Sequence, residues 1–301
     1  MGAKSKPDRI RSENRTSKSE LAIYRPDTHP DRAHPDRAHP EGHDKAGQRV
    51  MKSDSNDARD PGLELELDPS GSLLGELDEA NRRLESGSAE EILVWAVSRF
   101  GSRFTMATAF GPEGMCLIHM LAELAPATPI FNLDTGYQFP ETLQMRQRVL
   151  DRYGMAVEFK RPVLSVEEFE AANGGPVYTN DPDRCCHERK LTVLHEAIKG
   201  KHAWASAIRR DQSPDRELAP IIGWDAKFNL VKVSPLANWT RAEVWSFISK
   251  HDVPYNPLHD QGYPSVGCRP CTRSVMAGDD ERSGRWHGFK KTECGLHSLN
   301  D

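Results

Sequence analysis

The cysteines carry the most chemical promise in this chain. There are six, Cys116, Cys185, Cys186, Cys268, Cys271 and Cys294, and five are placed as ligands or reagents. Cys268-Arg269-Pro270-Cys271 is a CxxC, and the adjacent pair Cys185-Cys186 precedes it by 82 residues. Four thiolates can bind zinc or an iron–sulfur cluster. Neighbouring side chains diverge on a helix or a strand, which suits a single tetrahedral ion poorly. A cluster with several metal corners accepts an adjacent pair more readily, so the spacing favours [4Fe–4S] and leaves zinc as the alternative. The third reading of the CxxC, a thioredoxin-type dithiol, needs the motif at the start of a helix. Here it follows Gly262-Tyr263-Pro264-Ser265-Val266-Gly267, which reads as a loop. Cys116 lies in an apolar stretch and reads as a core thiol.

Cys294 stands alone, seven residues from the end of the chain, with Lys290, Lys291 and His297 close by in sequence. Basic neighbours raise a cysteine's thiolate fraction, and a thiolate is the natural nucleophile for a sulfur centre. Lys190 falls one helical turn after Cys186, where a cation would offset a thiolate cluster. The segment Thr108-Ala109-Phe110-Gly111-Pro112-Glu113-Gly114 reads as a strand–loop–helix junction. Free N–H groups at such a helix start suit a phosphate or sulfate, and the glycines would permit close approach. It matches neither GxGxxG nor a Walker A loop, so taken alone it is equally an ordinary turn.

These groups need a scaffold. Helical spacing runs over 73–86 and 88–100, with Ser88 as N-cap ahead of Glu90 and Glu91. Short apolar runs at 104–108, 129–133, 157–159, 203–208 and 229–233 read as strands. Helices are predicted at 115–124, 140–152, 187–199 and 240–250. Strands alternating with helices mean a parallel sheet covered on both faces, with ligands at the carboxyl ends of the strands. The loops after 108 and 133 are therefore the informative ones.

The first 61 residues differ in kind. They hold 13 basic and 11 acidic residues, few large apolar ones, and the tandem repeat His29-Pro30-Asp31-Arg32-Ala33, His34-Pro35-Asp36-Arg37-Ala38. That composition reads as disordered, a solvated tail before a weak metal-binding one at His29, His34, His39 and His43. A translation start at Met51 would remove most of it. Net charge is −5, which argues against nonspecific nucleic-acid binding as the main task. No run approaches the ~18 apolar residues of a membrane span, and no apolar run follows the N-terminus as in a secretory signal.

From residue 95 onward the chain resembles the assimilatory adenylyl-sulfate and phosphoadenylyl-sulfate reductases of the PP-loop superfamily. The resemblance rests on the first loop and on Leu133-Asp134-Thr135-Gly136-Tyr137-Gln138-Phe139-Pro140-Glu141-Thr142. It continues through Arg209-Arg210-Asp211-Gln212-Ser213, Lys232-Val233-Ser234-Pro235-Leu236 and Tyr255-Asn256-Pro257-Leu258, and ends in Lys291-Thr292-Glu293-Cys294-Gly295-Leu296-His297. It implies a Rossmann-like α/β PP-loop fold over 62–284 and a mobile catalytic tail over 285–301. It implies Cys185, Cys186, Cys268 and Cys271 as ligands of a [4Fe–4S] cluster. It implies Cys294 as the nucleophile on adenosine 5′-phosphosulfate, with thioredoxin as reductant, in cytoplasmic sulfate assimilation and cysteine biosynthesis. Substrate contacts are expected from Thr108, Gly111, Asp134, Thr135, Lys190, Arg282, Arg285 and His297. Arg216 fills a third arginine position in a segment one residue shorter than in common relatives. The alternatives are a reductase of the 3′-phosphorylated nucleotide or of both, and a PP-loop ATP pyrophosphatase. A homo-oligomer is compatible with all of these.

Overall fold

The computed structural model describes residues 69–276 and 278–296. The predicted disordered segment 1–61, its histidine repeat and His297 lie outside the described residues. Among those described, no helix is long and apolar enough to cross a membrane.

Two helices lead in. Helix α1 (Gly71–Leu84) buries Leu73, Leu77, Ala80 and Leu84. Helix α2 (Ala89–Phe100) starts where the sequence places it: the Ser88 hydroxyl accepts from Glu91 N–H at 3.2 Å, and the Glu91 carboxylate accepts from Ser88 N–H at 2.8 Å. This reciprocal cap satisfies two donors that a helix start otherwise leaves bare.

Strand β1 (Phe104–Ala107) then opens the alternation of strand and helix, with α3 (Pro112–Leu124), β2 (Ile130–Leu133), α4 (Pro140–Tyr153), β3 (Val157–Lys160), α5 (Val166–Asn173), α6 (Pro182–Cys186), α7 (Thr192–Ala197), β4 (Ala203–Ala205), β5 (Ile222–Asp225), β6 (Leu230–Val233) and α8 (Arg241–His251). The six strands form one sheet in the order β3-β2-β1-β4-β6-β5. Every pairing is parallel except β5 with β6, an antiparallel hairpin at the edge.

Strand alternation divides the core between the two faces. Phe104, Met106, Ile130, Ala203, Ala205, Val231 and Val233 face the larger cluster with α1–α4 and α8. Phe131, Leu133, Trp204 and Leu230 face the other side, against Leu191, Val193 and Leu194. Cys116 is fully buried in the larger cluster, as its sequence context predicts.

Three stretches depart from the sequence reading. Strand β5 and helix α5 are not foreseen. The helix expected over 187–199 begins at Pro182 and changes pitch: His187–Leu191 is a π-turn between α6 and α7, with Thr192 N–H donating to His187 C=O. Such insertions are often found where side chains are aimed at a site.

Candidate active site

Chain order reverses between β1 and β4. Strands after β1 add on one side, and β4 then returns to the other. Carboxyl-end loops part at such a switch point and leave a crevice. A cleft of about 210 Å³ opens there, walled by the loop after β1, by Asn132 and Leu133 on β2, and by Ser206, Ala207 and Ile208 after β4.

The first loop is set by Thr108 and Phe110. Thr108 Oγ1 accepts from Phe110 N–H at 3.0 Å, and Phe110 takes a left-handed φ of 56° with its ring buried. The sequence assigns the flexibility here to glycine, yet Gly111 has φ −69° as N-cap of α3. A Cβ on Gly111 would meet only Glu113 Oε2, at 3.6 Å. Gly114 is the constrained one: a Cβ there would lie 2.8 Å from Thr108 Oγ1. Thr108, Gly111 and the first turn of α3 line the cleft, with its free N–H groups at the mouth.

The second loop divides its residues. Asn132, which the sequence reading passed over, is fully buried; its Nδ2 donates to Thr108 C=O at 2.8 Å, and its Oδ1 has no partner among the described residues. Asp134 accepts from Gly136 N–H at 3.0 Å and pairs with Arg161 at 2.8 Å, so it braces the turn and does not line the cleft. Thr135 faces a different space, with Oγ1 3.2 Å from Cys268 Sγ.

That space is a small pocket of about 10 Å³, lined by Cys185, Cys186, Cys268 and Cys271 with Thr135, Lys190 and Arg285. All four cysteines are free thiols. Burial and neighbouring thiols push Cys185 up to about 12 and Cys271 up to about 11; burial also raises Cys186, against the pull of Lys190. Four gathered thiols, three of them with ionisation opposed by burial, are a donor set that a bound cationic centre would relieve. Among the described residues, no group of three or more His, Cys, Asp or Glu is arranged to hold a single metal ion. Arg189 on the π-turn supports the wall: it is buried, donates to Thr135 C=O at 2.6 Å and lies 5.4 Å from the Tyr137 ring.

Lys190, on the same turn, lines both the pocket and the cleft. Burial opposes its charge, but Cys268, Cys294 and Cys186 more than offset this and hold it protonated. Cys294 lines the same cleft. Burial raises its thiol, yet Lys190, the Leu296 N–H and Arg285 bring it below the usual range. The cations that act on Cys294 thus come from distant segments. Its sequence neighbour Lys291 is instead ion-paired to Asp183. Gly295 turns the chain directly after the thiol, at φ 80°.

The three predicted arginines all line the cleft. Arg285 stacks 4.4 Å from the Trp286 ring, and its Nη1 lies 3.4 Å from Ser265 Oγ. Gly267 makes room for it: a Cβ there would collide with the guanidinium at 2.1 Å. Burial and the nearby Arg216 bring Arg282 down to about 10. Arg216 is buried and bound to Glu293 by two hydrogen bonds, at 2.8 and 3.0 Å. A fourth arginine, Arg209, is 1% exposed and held among Glu113, Asp211 and Glu281. The cleft thus combines a low-lying thiol, a lysine and arginines around a space fit for a nucleotide-sized anion.

Residues 103–274 match the family described as the phosphoadenosine phosphosulfate reductase domain. A phosphoadenosine 5′-phosphosulfate reductase of Gloeobacter violaceus is 44% identical over 225 residues, 74% of this chain and 93% of that protein. Adenosine 5′-phosphosulfate reductase 1 of Bacillus subtilis is 43% identical over 210 residues, 69% of this chain and 90% of that one. The crystal structure of phosphoadenylyl-sulfate reductase from Candida auris, a phosphate complex, superposes with a TM-score of 0.59 at 29% identity, covering 67% of this chain and 97% of that one.

Proposed function

The chain belongs to the phosphoadenosine phosphosulfate reductase family, and from that premise we propose that it reduces adenosine 5′-phosphosulfate to sulfite and AMP with thioredoxin, through an S-sulfo adduct on Cys294. Membership makes it a reductase of adenylated sulfate. The observation that carries the finer reading is the convergence of Cys294, Lys190 and Arg285 at one end of the nucleotide-sized cleft.

The nucleotide enters with its phosphosulfate towards Lys190, Arg282 and Arg285. The Cys294 thiolate attacks the sulfate sulfur; a sulfur–sulfur bond forms and the bond from sulfur to the phosphate oxygen breaks. AMP leaves with that electron pair, its developing charge met by the same cations. A thiolate of reduced thioredoxin then attacks Cys294 Sγ. Sulfite leaves with the sulfur–sulfur pair, and the second thioredoxin thiol resolves the mixed disulfide. The two electrons come from thioredoxin, and Cys294 returns as thiolate. An external dithiol is needed because Cys116 is buried in the core and the other four thiols share the pocket. The proposal places this chemistry in the cytoplasm, as part of sulfate assimilation towards cysteine.

Cys185, Cys186, Cys268 and Cys271 would hold a [4Fe–4S] cluster. When bound it supplies a fixed charge and a rigid wall beside Lys190. The gathering of all four cysteines in one pocket supports this.

A second reading, use of the 3′-phosphorylated nucleotide, is favoured by the name of the Gloeobacter relative. The test is thioredoxin-dependent sulfite release by anaerobically purified protein, with both nucleotides side by side. Release from the unphosphorylated substrate alone is expected. Equal release from both removes the specificity, and release from neither overturns the reaction.

A further inference from the structure

Arg209 has no task in that reaction, yet among the described residues it is the most deeply buried charged side chain, 1% exposed. Its guanidinium reaches three carboxylates. Nε donates to Glu113 Oε1 at 2.9 Å, Nη1 to Asp211 Oδ1 at 2.7 Å and Nη2 to Glu281 Oε2 at 3.2 Å. Glu113 belongs to the first turn of α3, and Glu281 directly precedes Arg282. Both line the cleft; Arg209 is not part of that lining. The start of α8 closes a ring with these groups. Glu281 Oε1 accepts from Arg241 Nε at 3.1 Å, and Asp211 Oδ2 accepts from Arg241 N–H at 3.3 Å.

We infer that Arg209 is a positioning residue: by binding Glu113 and Glu281 at once it fixes the start of α3 against the segment that carries Arg282, so that the phosphate loop and Arg282 address one phosphosulfate. This rests on the proposed reaction, which brings the anion to Arg282. Arg209 lies 96 positions after Glu113 and 72 before Glu281, so a guanidinium from a third segment joins two that the chain leaves far apart. Consecutive Cα atoms are about 3.8 Å apart, so holding Glu281 holds the backbone of Arg282 within a short reach. On its other side Arg282 Nη2 donates to Thr292 C=O at 2.8 Å.

Charge balance agrees. Three carboxylates meet at Arg209, and only Arg241 shares the load. Burial and the carboxylates of Glu113 and Asp211 push the Glu281 carboxyl up, against the pull of Arg209 and Arg241. Without Arg209 the acidic groups of the two walls repel one another, and the cleft spreads where the anion must be gripped. The Arg209 bonds are the strong ones, because they are charge-assisted and buried, and breaking them strands a charge. The side chain of Arg241 is 54% exposed, so its pair with Glu281 weighs less.

The test compares Arg209→Lys, Glu281→Gln and Arg241→Gln, and repeats Glu281→Gln in an Arg282→Gln background. Two quantities are read on the holoenzyme: the Kd of adenosine 5′-phosphosulfate, and the rate at which phenylglyoxal modifies Arg282 without substrate, located by peptide mass spectrometry with the buried Arg189 as internal standard. Arg209→Lys keeps the charge but loses the fork that spans both walls, so it should raise Kd by about tenfold. Glu281→Gln should raise it by about fivefold and speed modification of Arg282 by a similar factor, with Arg189 unchanged. Where Arg282 is already Gln, Glu281→Gln should move Kd by less than about twofold, since its effect runs through that arginine; a general loss of stability would act in both backgrounds alike. Arg241→Gln should stay within about twofold. The inference fails if Glu281→Gln leaves both readings as they were, or if its effect on Kd is the same with and without Arg282. It also fails if Arg241→Gln matches Arg209→Lys, for α8 then sets the wall. Absence of sulfite release by the unaltered enzyme would overturn the proposed reaction instead, and the phenylglyoxal arm would still read the position of Arg282.

Discussion

The cysteine pocket and the cleft share a wall, formed by Lys190, Cys268, Arg285 and Trp286, but they are built on opposite rules. The pocket is small, about 10 Å³, and burial resists the ionisation of Cys185 and Cys271 in its wall. The cleft is larger, about 210 Å³, and in it Cys294 is brought below its usual range. The same residue type behaves oppositely on the two sides because the weight of the cations against burial and neighbouring thiols differs. Lys190 and Arg285 help to bring Cys294 down against its burial, while for Cys185 and Cys271 burial and the neighbouring thiols outweigh the cations beside them. Lys190 and Arg285 thus border both the pocket of four thiols and the cleft that holds Cys294. What separates Cys294 from Cys185 and Cys271 is the balance of their neighbours, since burial opposes ionisation in all three.

The sharpest break in that comparison is Cys294→Ser. Sulfite release should fall by more than about a thousandfold, as expected when the only suited nucleophile is lost. Iron and sulfide content and nucleotide affinity should not change, read by metal analysis and by equilibrium binding. Loss of iron in this variant would show that the two regions are not separable. Cys271→Ser is the converse experiment. It should release iron and sulfide and lower the melting temperature by about 5–10 °C, because a bound centre stabilises only the folded form. Adduct formation on the intact Cys294 should fall by about tenfold to a hundredfold, because the wall behind Lys190 is lost. An unchanged rate with iron gone would mean that the pocket does nothing for the cleft.

The two regions were unequally legible in the sequence. The pocket is written in short range, as an adjacent cysteine pair, a CxxC and a lysine one turn on, and the structure brings all five to one space. The phosphate loop is legible as a place but not in detail. Nothing in the sequence says that Phe110 takes the left-handed turn, with its ring set edge-on to Phe159, 49 positions away. Asp134 reads as a substrate contact in the sequence, and its pairing with Arg161, 27 positions away, is not visible there. Glu293 and Arg216 are 77 positions apart and belong to no motif together. Ser88 shows the contrast, since its partner Glu91 is three residues away and the cap can be read directly. The edge strand β5 was missed for a related reason. Only its antiparallel pairing with β6 defines it, and a pairing is not a property of either segment alone.

Lys190 is where the comparison can be sharpened further. Lys190→Met removes the charge and keeps much of the stem; adduct formation should fall by about a hundredfold and nucleotide Kd should rise by about tenfold, since cations at a developing anion are worth a few kcal/mol. Lys190→Arg keeps the charge in a larger, planar group, so it should hold iron content while recovering only part of the rate. Should Lys190→Met change affinity alone, the lysine would belong to the cleft and not to the wall between the two.

The smallest expected effect tests the scaffold that holds both regions. Burial keeps His119, His202 and His259 below the ordinary imidazole value of 6.5. As pH falls through 6.5 the unfolded chain takes up protons that the folded chain does not, so stability must decline with falling pH across that window. Between pH 7.5 and pH 5.5 the urea midpoint should drop by about half a molar unit, given the usual dependence of stability on denaturant. His259 borders the cleft, with Nδ1 2.7 Å from Tyr263 C=O, and His119 lies between α3 and α8 against Phe247. Replacing His119 by Gln should flatten part of that slope and leave sulfite release as it was, because nothing of the cleft or the pocket touches it. A slope that survives loss of all three imidazoles would put the acid sensitivity in the cysteine pocket, where protonation of ligand thiolates competes with a bound centre. The iron content measured at each pH tells the two apart.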